Sequence, residues 1–202
     1  MEQHTLDTLA QAVLQRICIP LEASARHVHL TQAQIHTLFG HDLTPDRPLS
    51  QPGQFLAKER VTLQGPKGKC YHVAVLGPAR KTAQVEISFT DGRQLGITPP
   101  IRQSGDTQGT PGILVLGEQG TLAIPEGVMV AQRHLHLTPD TARRFSVSDG
   151  QIVKLQAYTR RPLIFEDVVV RISSHFADCA HLDFDEANAC AMHSGDWGRI
   201  LP

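Results

Sequence analysis

Arg26-His27-Val28-His29-Leu30-Thr31 and Arg133-His134-Leu135-His136-Leu137-Thr138 are two copies of one hexapeptide, Arg-His-x-His-Leu-Thr, and their reading decides the fold. In an extended strand residues i and i+2 share a face, so each copy sets two imidazoles side by side with an apolar residue pointing the other way. Imidazole is the commonest protein ligand for zinc and related metals. Two such strands brought together would supply four imidazoles to one cavity, which makes His27, His29, His134 and His136 candidate metal ligands. One His-x-His alone reads equally well as a surface strand; the repeat, with its Arg, Leu and Thr, favours a site.

Outward from each copy the pattern turns helical. Thr31 is an N-cap with Gln34 three residues on, and Ile35, Leu38 and Phe39 form an apolar stripe that Gly40 closes. In the second copy Thr138 caps, Pro139 takes the first helical position, and Ala142 and Phe145 supply the apolar face. A strand followed by a short helix therefore occurs twice, which marks an internal duplication.

Between the copies the signals are β. Residues 61–63 and 71–76 flank a Gly65-Pro66-Lys67-Gly68 turn, residues 84–89 read as a strand running into Asp91-Gly92, and further strands fit 94–97, 113–116 and 128–131. Beyond the second copy, strands fit 152–155, 163–165, 168–172 and 180–184, followed by a helical turn over 185–189. Many short strands, 16 Gly and 13 Pro predict a mainly β protein of two small β-barrels capped by short α-helices, with a metal site at the barrel interface. The expected division is an amphipathic helix over residues 1–17, one barrel from 18–25 plus 132–202, and a second barrel from 26–131. The helix rests on Leu6, Leu9, Ala10, Val13, Leu14 and Ile17 at helical spacing, and is read either as packed on its own domain or as docking on a partner.

Composition narrows the function. With 202 residues, 41% hydrophobic, the chain can bury a sizeable core; 19 basic against 20 acidic residues leave no footprint for nucleic acid or an anionic membrane. No apolar run reaches the roughly 20 residues of a membrane span, and the first residues lack a secretion-signal layout, so the protein reads as cytoplasmic. Cys18, Cys70, Cys179 and Cys190 are scattered without Cys-x-x-Cys spacing, as expected of reduced thiols. Eleven histidines are the compositional anomaly.

Further chemistry-bearing residues lie outside the repeat. Alternation puts His181 and Asp183 on one face, a structural histidine when alone and a ligand near a metal cavity. Glu86, between Val85 and Ile87, reads as a solvent-facing glutamate or a hard oxygen ligand, and the residues alone favour solvent. Arg80 follows a Gly77-Pro78 turn, where a guanidinium can hold phosphate or carboxylate bidentately or serve as an ordinary turn cation. Ser104 begins a glycine-rich loop to Gly112 suited to an anion but matching no Walker pattern.

Five stretches taken together resemble one family: Ala23-Ser24-Ala25-Arg26-His27-Val28-His29-Leu30, the run from Gly77 to Glu86, the run from Leu95 to Asp106, Arg133-His134-Leu135-His136-Leu137, and the run from His181 to Asn188. They look like the PduL-type phosphate propanoyltransferases, phosphotransacylases of propanediol-utilising bacterial microcompartments. The resemblance covers roughly residues 19–200. It implies two β-barrels, with the first strand joining the C-terminal barrel, and two Zn2+ per chain at the interface. His27 and His29 would hold one zinc, and Glu86, His134, His136 and His181 the other. Arg80 would bind phosphate and Ser104 would lie close to the substrates; no coenzyme A-binding residue is identified. The implied reaction is transfer of a short acyl group, propanoyl first, between coenzyme A and inorganic phosphate in 1,2-propanediol degradation, inside a microcompartment. The implied partners are shell or cargo proteins met through the N-terminal helix, and self-association is a further expectation. The competing readings are a metal-dependent thioester hydrolase and a non-catalytic microcompartment adaptor whose zinc sites only brace the barrels.

Overall fold

The computed structural model describes residues 16–201 together with Thr8, Val13 and Leu14. Most of the helix expected over residues 1–17 lies outside the described residues. In chain order the elements are β1 (Ile19–Ser24), β2 (His27–His29), α1 (Gln32–Phe39), β3 (Pro45–Pro48), β4 (Phe55–Gln64), β5 (Lys69–Gly77), β6 (Gln84–Glu86), α2 (Phe89–Leu95), β7 (Ile101–Arg102) and β8 (Ile113–Leu116). They continue with β9 (Thr121–Ile124), β10 (Val128–Ala131), β11 (His134–Leu137), α3 (Pro139–Phe145), β12 (Ile152–Tyr158), β13 (Leu163–Ile172), β14 (Cys179–Asp183), α4 (Phe184–Ala189) and β15 (Trp197–Leu201).

The described residues divide into two compact units, those up to Ser24 with 133–182 and 186–201 in one and residues 25–132 with 183–185 in the other. The first is a closed six-stranded barrel in the order β1-β14-β11-β13-β12-β15. Its core takes alternate residues: Ile19 and Leu21 from β1, Leu135 and Leu137 from β11, Val153 and Leu155 from β12, Ala180 and Leu182 from β14. Each fully buried aliphatic side chain contributes about 1.5–3 kcal/mol over leaving it exposed, so the alternation fixes which face of each strand points inward.

The second unit is a sheet in the order β7-β10-β6-β2-β5-β4-β8-β9, with β3 on β4. The fold is mainly β, as the strand pattern predicts, but only the first unit closes; the second is a half-barrel. Its outermost strands are the two-residue β7 and the four-residue β9, too short to form a closing ladder with each other. The Gly65-Pro66-Lys67-Gly68 turn joins β4 to β5, with Gly65 N–H donating to Gly68 O at 2.9 Å. The β8–β9 turn packs on the end of α1: Gln119 N–H donates to Leu38 O at 2.9 Å. A Cβ on Gly117 would sit 2.4 Å from that same oxygen, so the approach needs glycine there.

Helix starts follow their side chains. Thr31 Oγ1 accepts the Gln34 N–H while Gln34 Oε1 accepts the Thr31 N–H, closing a capping box on α1. Thr138 caps α3 by accepting the Thr141 N–H, and Asp178 accepts from the Thr138 N–H at 2.6 Å and the Thr141 hydroxyl at 2.5 Å.

Three strand expectations change. The strand read over 84–89 stops at Glu86, and α2 takes Gln94 and Leu95 from the strand read over 94–97. Ser88 and Asp91 form a capping box that satisfies the free N–H groups at the helix start, and Leu95 buries the inner face. The strands read separately at 163–165 and 168–172 are one strand, β13, with a register irregularity opposite Val153 to Leu155 and Asp167 at φ +53°.

Candidate metal centres

The duplication extends well beyond the hexapeptide. In one unit β2 runs parallel to β5 and antiparallel to β6; in the other β11 runs parallel to β13 and antiparallel to β14. The antiparallel partner sets a third residue opposite the first histidine of each pair: Glu86 opposite His27, and His181 opposite His134. A short helix follows each of these strands, α2 after β6 and α4 after β14, and an acid in its first turn takes the arginine of the hexapeptide. Arg26 pairs with Asp91 at 3.2 Å, and Arg133 with Glu186 at 2.9 Å. The repeated Arg thus ties each His-x-His strand to the helix after its third residue. The residue between the histidines, Val28 or Leu135, is fully buried in its unit's core, which turns both imidazoles to the opposite face.

His27, His29 and Glu86 place one donor atom each within 4.8 Å of one another, and so do His134, His136 and His181. Around a tetrahedral zinc with bonds of about 2.0–2.1 Å, neighbouring donors lie about 3.3 Å apart. His134 Nε2 is 3.3 Å from His181 Nδ1, and His27 Nε2 is 3.6 Å from Glu86 Oε2. His27 Nδ1 donates to the Ala25 carbonyl at 2.8 Å, the outer bond that leaves Nε2 as the ligating atom. His29 Nδ1 is buried with no hydrogen-bond partner among the described residues, a cost of about 1–3 kcal/mol that a cation at this position would remove. Burial, with His27 and Arg80 nearby, lowers the His29 pKa to about 2, so the ring stays neutral. Burial also works against charge on His27, but the Glu86 carboxylate and the Ala25 carbonyl raise its pKa above the ordinary value. Imidazole nitrogens and carboxylate oxygens are donor types zinc takes, and each set offers three of them, three imidazoles in one and two with a carboxylate in the other.

A polar cluster adjoins Glu86. Gln84, 2% exposed, donates through Nε2 to Glu86 Oε1 and to Ser104 Oγ at 2.9 Å, while its Oε1 accepts the Gly105 N–H at 2.7 Å. Arg80 donates to Ser104 Oγ at 3.3 Å, and its own N–H is held by the Leu30 carbonyl at 2.8 Å. Arg80, Ser104, Gln84, Glu86, His27 and His29 therefore form one connected group.

The structure thus brings Arg80, Ser104, Glu86, His27 and His29 together in one unit and His134, His136 and His181 in the other. The resemblance assigns Glu86 to the second set; within its own unit Glu86 groups with His27 and His29. Glu86 is also 8% exposed, so the solvent-facing reading of this residue is corrected: the antiparallel register turns it onto the face of the two imidazoles. Sequence reasoning missed Gln84, whose position in the strand carrying Glu86 was the available signal. It also missed Glu22 and Cys179, whose ligand atoms lie with that of His181 within 4.8 Å of one another.

These duplicated donor sets, with an arginine joined to one of them, are candidate metal and anion sites, and comparison with known sequences supplies the class of protein. The family model described as phosphate propanoyltransferase matches residues 20–193. The phosphate propanoyltransferase of Enterococcus faecalis is 47% identical to this chain, covering 98% of it and 97% of that protein. That of Listeria monocytogenes is 47% identical over 100% of this chain and 97% of its own, and that of Thermotoga maritima 46% over 98% and 96%. The chain belongs to the phosphate propanoyltransferase family and is an acyltransferase. No described helix is long and apolar enough to cross a membrane.

Proposed function

We propose that this acyltransferase moves a propanoyl group between coenzyme A and inorganic phosphate with two zinc ions, one on His27, His29 and Glu86 and one on His134, His136 and His181. The observation that carries this reading is the unbroken side-chain connection from Arg80 through Ser104 and Gln84 to Glu86. It sets an anion-binding guanidinium and a hydroxyl beside a metal-type donor set.

Arg80 holds the phosphate bidentately and offsets its charge. Ser104 donates to a phosphate oxygen, and Gln84 keeps Ser104 and the Gly105 backbone in place. A phosphate oxygen attacks the thioester carbonyl; the C–O bond forms, the C–S bond breaks, and the coenzyme A thiolate leaves. A thiol pKa of roughly 8.5 means the leaving group needs little protonation. The metal, when bound, supplies Lewis-acid polarisation. No acyl-enzyme is involved: Cys18, Cys70, Cys179 and Cys190 are all buried, and burial raises the thiol pKa of Cys18, Cys70 and Cys190, which disfavours a nucleophilic thiolate.

We further infer a place in 1,2-propanediol degradation inside a microcompartment, with residues 1–17 docking on shell or cargo. Val13 and Ile17, from the expected apolar stripe, are 49% and 53% exposed, which supports a docking role. The deciding assay follows thiol release from propanoyl-CoA with and without phosphate, after chelation and after zinc return. Release that needs phosphate, falls with chelation and returns with zinc is the expected result. Release without phosphate would make the protein a thioesterase, and chelator-resistant release would remove zinc from the mechanism.

A further inference from the structure

His181 is held at both ring nitrogens. Nδ1 lies 3.3 Å from His134 Nε2, while Nε2 lies 3.0 Å from Glu22 Oε2 and 3.4 Å from Cys179 Sγ. The strands dictate this. In β1, Ile19 and Leu21 point into the barrel core, so Glu22 lies on the outer face; in β14, Ala180 and Leu182 point inward, so Cys179 and His181 share that outer face. β1 neighbours β14, and β14 neighbours β11 with its two histidines. Glu22, His181 and His134 therefore form a row across three adjacent strands.

A neutral imidazole has one N–H and one lone pair, and whichever nitrogen ligates a metal leaves the other as donor. A carboxylate on the outer nitrogen fixes the tautomer and ring orientation, and makes the inner nitrogen a better ligand. We propose that Glu22 is a positioning residue: it accepts the His181 Nε2–H, aims Nδ1 at the space shared with His134 and His136, and so sets the zinc affinity of that set. The inference rests on the metal reading above and goes beyond it, because Glu22 lies outside all the motifs that led to the ligands. The competing arrangement has Glu22, Cys179 and His181 Nε2 as ligands themselves, and the two require opposite nitrogens of His181 to be metallated.

The test uses the full-length protein, stripped of metal and titrated with zinc against a chromogenic chelator. Wild type, His134→Ala, Glu22→Ala, Glu22→Gln and Cys179→Ala are compared, with melting temperatures measured with and without zinc. The expected result is that His134→Ala loses one ion and Glu22→Ala binds that ion about 10–100-fold more weakly. Glu22→Gln, whose amide oxygen still accepts the N–H, recovers most of the affinity, and Cys179→Ala stays within about twofold of wild type on the same scale. In the zinc-loaded wild type, 15N shifts of His181 report Nδ1 metallated and Nε2 protonated. Unchanged zinc affinity in Glu22→Ala, a metallated Nε2, or equal melting losses with and without zinc would each overturn the proposal while leaving the metal reading standing. A wild type that binds no ion lost in His134→Ala would overturn both.

Discussion

Replacing Gln84 with methionine keeps the length of the side chain and removes its polar atoms, so it isolates what three hydrogen bonds contribute. The bond to Glu86 is to a buried carboxylate and is worth about 1.5–3 kcal/mol; the bond to half-buried Ser104 is worth about 1 kcal/mol. Gly105 is exposed, so water replaces the bond from its N–H at little cost. The net loss is about 2–4 kcal/mol, and at about 2–4 °C per kcal/mol for a chain of this size the melting temperature falls by about 4–16 °C. Function should change in a specific way. Ser104 loses its anchor and Arg80 the fixed partner it bonds, so phosphate binding weakens, and a loss of about 1.4 kcal/mol there raises KM for phosphate about tenfold. KM for the acyl-CoA should hold. The assay pairs thermal unfolding with initial rates over a phosphate series at saturating propanoyl-CoA. A Gln84→Met protein with unchanged melting temperature and unchanged KM for phosphate would refute the reasoning, because a buried amide making three bonds cannot be both present and energetically silent.

Arg80→Lys keeps a charge but loses the bidentate fork, so KM for phosphate should rise about tenfold or more, while Arg80→Ala should do so about 30-fold; an Arg80→Ala enzyme with wild-type phosphate dependence would remove Arg80 from the site. Gly117→Ala pushes a Cβ to 2.4 Å from the Leu38 oxygen, and should cost about 1–3 kcal/mol in denaturant unfolding, with an unchanged midpoint counting against the packing described. Burial pushes the Glu59 carboxyl up, but N–H groups, including that of Thr44 at 3.0 and 3.2 Å from its two oxygens, outweigh it and hold the pKa below 4.5. Its contribution to stability is complete above the unfolded value and is lost as pH falls through the depressed folded one. Glu59→Gln should therefore cost about 1–2 kcal/mol at neutral pH and progressively less as the solution is acidified below about pH 4.5; a pH-independent difference would assign the effect to packing.

The parts of this fold legible in the sequence are those fixed within a few residues. The His-x-His pairs, the Thr31 and Gln34 capping box and the Thr138-Pro139 start are local, and local chemistry decides them. Glu86 and His181 were legible as candidate ligands, but not which pair each faces, because strand register decides that: Glu86 meets His27 through the β2–β6 ladder, and His181 meets His134 through β11–β14. A glutamate and a histidine also share no pattern that a repeat search would align. What does align, once the registers are known, is their surroundings. Ser88-Phe89-Thr90-Asp91 follows Glu86 as Asp183-Phe184-Asp185-Glu186 follows His181, with the acid in each helix taking the arginine of its hexapeptide. The arginine, which the sequence offered as mere flanking identity, is thus the residue that ties donor strand to helix in both halves. The two halves thus differ at one candidate donor, a glutamate in one and a histidine in the other, and the difference has an electrostatic consequence for any bound cation. A divalent cation held by two imidazoles and a carboxylate has one unit of its charge cancelled; held by three imidazoles it keeps both. The Glu86 set is the one joined to Arg80, where an uncancelled dication beside a guanidinium would meet strong like-charge repulsion in a buried site. With a divalent cation on the proposed set, the Glu86 carboxylate would relieve that repulsion, which accounts for a glutamate in the half that holds Arg80.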